Sequence, residues 1–391
     1  MQLSTIITRP VLAAGAAAGG AVLGVAAGSV AAAAYAARRV LTPDVLRPDD
    51  VRILALGDRH VTFAVGPDTT SPGRYGVWLD GGAGHARVGQ ITDRVAKTVT
   101  RELICVDRGT LRAGPARWNQ YYYWDRPSVS LGIPDEDVVI HSDIGALPAW
   151  LVRPEGPGGA DWAVLVHGRG AQREEALRAV PVLRAAGFTS LVTGYRNDRD
   201  APPAPDGRYN LGLSEWRDVE AAMSYAAGRG AARIVLVGWS MGGAIALQVL
   251  DNSPLAELVT GVVLDSAVID WGAVLRHQAR RRRLPHALAW AATELMGDTR
   301  ARRLVGVREP LDVARADWVT RSGELRHRLL VIHSDGDDFV PVGPAAALAA
   351  KRPDLVHFER WETAGHCREW NTDPGRWEGA LRDFLTHLEV G

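Results

Sequence analysis

Ile234-Val235-Leu236-Val237-Gly238-Trp239-Ser240-Met241-Gly242-Gly243 carries an apolar strand into a glycine-flanked serine and on into the helix-forming stretch Ala244–Leu250. A serine hydroxyl is a poor nucleophile until it is exposed and a base takes its proton. Small residues on both flanks let the backbone turn tightly from strand to helix and leave the serine at the apex. The helix that starts just beyond it directs its amide dipoles at any anion developing there. Alone, Gly-x-Ser-x-Gly arises by chance in a glycine-rich chain; between a strand and a helix it marks a nucleophile.

Outward from this turn, strand and helix signals alternate. Val138–His141 and Leu147–Val152 read as a hairpin. Trp162–His167, Thr189–Thr193, Ile234–Gly238, Val259–Leu264, Leu329–His333 and Val356–Trp361 read as strands. Helical patterns over Arg173–Ala186, Ser214–Gly228, Met241–Leu250, Pro344–Ala350 and Gly375–Leu388 separate them. Short apolar strands alternating with amphipathic helices predict a mostly parallel sheet covered on both faces. Residues 268–327 interrupt the alternation with helical, Arg- and Trp-containing sequence, which predicts a cap over the carboxyl edge of the sheet, where such sheets bind ligands. Within the cap, Arg280-Arg281-Arg282-Arg283 reads first as a solvated face and second as a site for anionic lipid or an acidic substrate. Trp271, Trp290 and Trp318 read equally as the lining of an acyl pocket and as the core of the cap.

Three further motifs follow strands in order: His167-Gly168-Arg169-Gly170, His333-Ser334-Asp335-Gly336-Asp337-Asp338-Phe339-Val340-Pro341, and Ala364-Gly365-His366. With the serine turn they resemble the α/β-hydrolase superfamily, particularly its esterase and prolyl-oligopeptidase-like branches, from about Asp135 to the C-terminus. The resemblance implies a catalytic triad of Ser240, Asp337 and His366 in the chain order of that fold. It also implies an oxyanion hole made by the backbone N–H groups of Arg169 and Met241. The family's register, with the acid three residues before Val-Pro, selects Asp337; Asp335, Asp338 and Asp265 remain alternatives. Ser334 stands where the family usually has glycine. His167 and His333 read as loop scaffolding.

The N-terminal third differs in texture. Residues 42–134 alternate short apolar stretches (Val51–Leu56, Val61–Val65, Gly76–Leu79, Leu103–Val106) with turn residues, which predicts a small β-rich accessory region. Its Tyr121-Tyr122-Tyr123-Trp124 reads first as aromatics packed against the main domain and second as a binding platform or membrane belt. Before it, no residue from Pro10 to Ala37 is charged. A helix over that run would extend about 42 Å, enough for a hydrocarbon core about 30 Å thick. Residues 1–41 are therefore expected to hold a single-pass transmembrane anchor. The competing reading is a secretory signal peptide cleaved near Ala34-Tyr35-Ala36, against which the length of the run counts.

Formal net charge is zero, which excludes the basic excess that grips nucleic acid. Cys105 and Cys367 have neither metal-ligand spacing nor the number for a disulfide framework. No glycine-rich phosphate loop, zinc-ligand helix or other cofactor motif stands out, so no cofactor or metal is expected. The resulting expectation is a serine hydrolase with an α/β-hydrolase domain over residues 135–391, cleaving a small-molecule ester through an acyl-enzyme. Peptidase and acyltransferase activity on the same site are the near alternatives, and an inactive membrane-tethered binding protein is the distant one.

Overall fold

In strands such as Val164-Leu165-Val166 and Val235-Leu236-Val237 successive apolar side chains point to opposite faces, so both faces need cover. The computed structural model, which describes residues 29–43, 47–156 and 159–389, supplies that cover. Its main sheet has eight strands: β7 (Glu136–Ser142), β8 (Gly145–Val152), β9 (Asp161–Val166), β10 (Thr189–Thr193), β11 (Arg233–Trp239), β12 (Val259–Asp265), β13 (Arg328–Ser334) and β14 (Val356–Trp361). They lie in the order β14-β13-β12-β11-β9-β10-β8-β7, parallel throughout except that β8 and β7 run antiparallel to their neighbours. Val164, Val166 and Leu236 enter one core with residues of α4 (Trp216–Ala227), α5 (Met241–Asn252) and α9 (Gly343–Lys351). Leu165, Val235 and Val237 enter the other, with α3 (Val180–Ala185) and α11 (Pro374–Glu389).

The earlier strands close on themselves. β1 (Val51–Leu56), β2 (His60–Ala64), β3 (Tyr75–Leu79), β4 (Gly84–Val95), β5 (Thr98–Arg108) and β6 (Gly114–Asn119) form a closed barrel around Ile53, Val61, Phe63, Tyr75, Val77 and Trp118. Closure removes the exposed edges that so small a sheet would otherwise present. The sequence pattern under-read this unit, missing β4 and β6. The far half of β4 is polar and exposed, and pairing with β5 rather than its own pattern makes it a strand. Tyr122 and Tyr123 follow the barrel and pack on Trp370 of the main domain, ring centroids 5.5 and 5.7 Å away, which is the packing reading of the aromatic run. The short helix α2 (Pro127–Ser130) then leads into β7.

One expected helix, Arg173–Ala186, divides into a 3-10 turn over Arg173–Arg178 and α3. Pro181 sits in the first turn of α3, where its missing N–H costs nothing, and it forbids a continuous helix across the junction. The cap carries α6 (Trp271–Arg281), α7 (His286–Gly297) and α8 (Arg302–Val305). Trp271 and Trp318 are buried in its core, whereas Trp290 stands 62% exposed, so the three tryptophans do not line one pocket. Arg280 to Arg283 are exposed, and Arg281 pairs with Asp338 at 2.7 Å.

The expected transmembrane span falls mostly outside the described residues, which begin at 29. Among the described residues no helix is long and apolar enough to cross a membrane. The end of the uncharged run forms the first part of α1 (residues 29–41), which continues through Arg38 and Arg39, and Ala33, Ala37 and Leu41 are fully buried in the same core as β9 and α5. Here small side chains seat one face of a helix on protein, while Tyr35 on the opposite face is exposed. The end of α1 is tied down as well: Tyr209 N–H donates to Leu41 O at 2.8 Å, and Arg38 Nε donates to Leu304 O at 2.6 Å. Overfilling this seat should cost about 1–3 kcal/mol. Ala37→Leu is therefore expected to lower the thermal unfolding midpoint of the whole chain by calorimetry, whereas Tyr35→Leu on the exposed face should leave it unchanged.

Candidate active site

At the end of β11 the chain turns so sharply that Ser240 takes φ 51° and ψ −115°, a strained conformation for a residue with a Cβ. Its neighbours show why they are glycines. A Cβ on Gly242 would stand 2.1 Å from Val166 O, and one on Gly238 would stand 2.6 Å from the Gly242 carbonyl. The turn is fixed by Ser240 N–H donating to Asp265 O (3.0 Å) and by Val268 N–H donating to Ser240 O (3.1 Å). Strain of this kind persists only where the surroundings over-determine it.

Two loops from other strands meet the serine. After β14, His366 brings Nε2 to 2.9 Å from Ser240 Oγ, the hydroxyl donating. After β13, Asp337 accepts from His366 Nδ1–H at 2.7 Å. A carboxylate only accepts, so this contact fixes the tautomer, leaving Nε2 as the acceptor that faces the hydroxyl. Asp337 is held in turn. Its Oδ1 accepts the N–H groups of Phe339 and Val340, both at 2.9 Å. His333 Nε2 lies 3.3 Å from its Oδ2 and 3.1 Å from Val340 O. Burial works against the charged carboxylate, but the His366 charge and the hydrogen bonds from His333 and His366 outweigh it and hold the Asp337 carboxyl well below the usual range. The same pairing raises the His366 imidazole above its ordinary value, against an opposing effect of burial.

The alternative acids are otherwise engaged. Asp335 pairs with Arg360 at 2.9 Å on the exposed side of its loop, and Asp338 with Arg281 across the cap boundary. Asp265 is fully buried and accepts from Trp377 Nε1 at 2.8 Å. Only Asp337 among them meets the imidazole of His366.

The loop that follows β9 abuts the serine: a Cβ on Gly168 would stand 3.1 Å from that of Ser240. Its rear is pinned. Gly168 N–H donates to Glu175 Oε2 at 2.7 Å, and Tyr195 Oη–H donates to Gly168 O at 2.9 Å. His167 contacts two acceptors, Gly168 O through Nδ1 and Asp198 Oδ2 through Nε2, each at 2.9 Å. Burial opposes its charge, but Asp198 outweighs that and raises the imidazole above its ordinary value. His167 is thus a brace behind the loop. The side chain of Arg169 turns aside, donating from Nη2 to Thr42 O at 2.8 Å. Met241 is the first residue of α5, where backbone N–H groups have no intrahelical acceptor. Glu175 and Asp198 escaped the sequence reading because neither lies in a motif; Glu175 acts from the turn that follows its own loop and Asp198 from 31 residues beyond His167. Among the described residues no three or more His, Cys, Asp or Glu side chains are grouped to hold a metal ion.

Asp337 also gives the site a pH signature. A carboxyl depressed in the fold contributes stability above its unfolded value near 3.8, and that contribution is lost as pH falls through the folded value. Asp337→Asn should therefore destabilise the chain more at pH 7 than at pH 3, as read by urea unfolding at the two pH values.

Comparison with known proteins bears on the fold and the family. Residues 163–377 match the model of the alpha/beta hydrolase family. Residues 52–119, which span the barrel strands, match a domain of unknown function (DUF8805). Among solved structures, an esterase from Pyrococcus furiosus is 18% identical, with 67% of this chain and 94% of that one covered and a TM-score of 0.51. An esterase from Rhodococcus sp. is 19% identical, with 64% and 99% covered and a TM-score of 0.45. The first of these likenesses bears on the fold alone. A search of curated proteins returns no match.

Proposed function

This chain belongs to the alpha/beta hydrolase family, and from that premise we propose that it is a serine hydrolase cleaving a carboxylic ester through an acyl-enzyme, with Ser240, His366 and Asp337 as its triad. One observation carries the reading: a single imidazole lies 2.9 Å from the Ser240 hydroxyl and 2.7 Å from the Asp337 carboxylate. Ser240 Oγ attacks the substrate carbonyl as His366 Nε2 takes its proton. Asp337 keeps the imidazole in the receiving tautomer and stabilises the imidazolium. The backbone N–H groups of Met241 and Arg169 hold the oxyanion of the tetrahedral intermediate. As that intermediate collapses, the imidazolium protonates the leaving alkoxide, and Nε2 then accepts a proton from the water that hydrolyses the acyl-enzyme.

An ester is placed before an amide because an esterase is among the solved structures that share the fold, and because an ester carbonyl is the more electrophilic and its alkoxide leaves more readily than an amide anion. Peptidase or acyltransferase chemistry would use the same residues and differ only in the leaving group or the acceptor. The uncharged residues before α1 extend the proposal to a membrane-tethered enzyme. Extraction of the expressed chain from membranes by alkaline carbonate would count against that tether.

A fluorophosphonate probe should label the wild-type chain at Ser240, mapped by mass spectrometry, and absence of labelling would overturn the reading. Ser240→Ala should abolish labelling and lower turnover of p-nitrophenyl esters by a factor on the order of 10⁶. Because His366 must be neutral to accept a proton, kcat/KM should rise with pH through the imidazole's own titration. That titration is expected above the ordinary 6.5, and Asp337→Asn should move it down.

A further inference from the structure

The residue after the candidate base is strained. Cys367 takes φ 52°, a left-handed conformation that disfavours a residue with a side chain. The main domain supplies part of the restraint on this segment: Cys367 N–H donates to Ser266 Oγ at 3.0 Å, Ser266 Oγ–H donates to Glu369 Oε1 at 2.9 Å, and Arg178 Nη1 donates to Cys367 O at 2.8 Å and Asn371 Oδ1 at 3.3 Å. Further restraints come from the barrel side. Arg368 reaches Asp68 at 2.5 Å and Ser71 Oγ at 3.0 Å. Asn371 Nδ2 donates to Arg74 O (2.7 Å) and Gln120 O (2.9 Å), and Arg74 N–H returns a bond to Asn371 O at 3.0 Å. The approach is so close that a Cβ on Gly73 would stand 2.1 Å from Asn371 O, and Gly73 itself has φ 103°. Only glycine fits there.

The barrel invests a buried charge in the loop that makes these contacts. Arg101 is fully buried, and its guanidinium donates to the carbonyls of Thr69 (3.1 Å), Gly73 (2.9 Å), Gly89 (2.7 Å) and Ser71. Burying a cation among neutral acceptors is costly, and burial pushes this guanidinium down to about 10. A barrel that needed only a core would place an apolar residue there. What the arginine accomplishes is to hold loop 66–74 in one shape, with Asp68, Ser71 and Gly73 turned to the segment behind His366.

We infer that the barrel is a clamp acting in cis on the catalytic histidine: loop 66–74 grips residues 367–371 and thereby holds the His366 imidazole within reach of both Ser240 and Asp337. The inference rests on the serine-hydrolase reading above and assigns a task to the barrel, which that mechanism leaves unused. Asp68, Arg368 and Asn371 are positioning residues; none of them touches the reacting atoms. A misplacement of about 1 Å at a catalytic group costs up to about 100-fold in rate, so a loosened clamp should register in turnover and not in substrate affinity.

The test uses the full chain. Asp68→Ala should lower kcat for a p-nitrophenyl ester by roughly tenfold, with KM held within about twofold. It should slow fluorophosphonate labelling of Ser240 in proportion and speed amide hydrogen exchange across residues 364–372. The exchanged pair Asp68→Arg with Arg368→Asp should restore part of the loss, and Arg368→Lys should retain most of the activity. If Asp68→Ala does not fold, Asp68→Asn removes the charge while keeping the shape and carries the same expectations. Unchanged kcat and unchanged exchange in a chain whose wild type labels normally would overturn the clamp alone. A raised KM at constant kcat would also overturn it, by making the barrel a substrate-binding element. A wild type that the probe does not label would overturn the hydrolase reading, and the clamp with it.

Discussion

A Cβ on Gly242 would stand 2.1 Å from Val166 O and 2.6 Å from His167 O. This near-contact of two backbones joins the start of α5 to the end of β9, and the candidate site depends on it. It lets the strained Ser240 sit directly beside the loop that begins at His167. It also sets the distance over which loops from β13 and β14 must reach. Each loop then carries its own brace. Asp337 is pinned by two backbone N–H groups, the His167 loop by Glu175, Tyr195 and the His167 imidazole, and the His366 loop in part by the barrel. Precision at the serine is thus assembled from contacts far from it in the chain.

The division of labour between the two sheets follows from their shapes. The open, twisted main sheet brings its strand ends to one rim, where loops gather. The closed barrel buries its own small core, and its contribution lies at one end, where loop 66–74 between β2 and β3 meets residues 367–371. The N-terminal helix adds a third contact: Thr42, just past its end, accepts from the side chain of Arg169. Three segments remote in sequence therefore converge on the loops around Ser240.

Much of the main domain was legible because its physics is local. Thr189–Thr193 lies where a short run between turn residues puts it, since a strand covered on both faces needs little besides such a run. The glycines around Ser240 were legible for a similar reason: a tight strand-to-helix turn demands small residues wherever it occurs. The barrel was less so. β4 and β6 carry polar residues on their outer positions, and pairing with neighbours decides their conformation. The expected helix over Arg173–Ala186 failed at Pro181, a local signal that the periodicity of its flanks had masked.

By itself the sequence determined the order of the motifs, the parallel sheet, the serine turn and the chemistry open to a Ser, Asp and His set, because side-chain type and strand periodicity are written residue by residue. Which carboxylate meets the imidazole was a tertiary decision: three acids crowd residues 335–338, and Arg360 and Arg281, contributed by other elements, draw two of them away. So was the seating of Ala33, Ala37 and Leu41 on the main domain, since small apolar side chains carry no signal of the groove that receives them. The contact between the barrel and the segment behind His366 belongs to the same class, for Asp68 and Arg368 lie 300 residues apart and only folding brings them together.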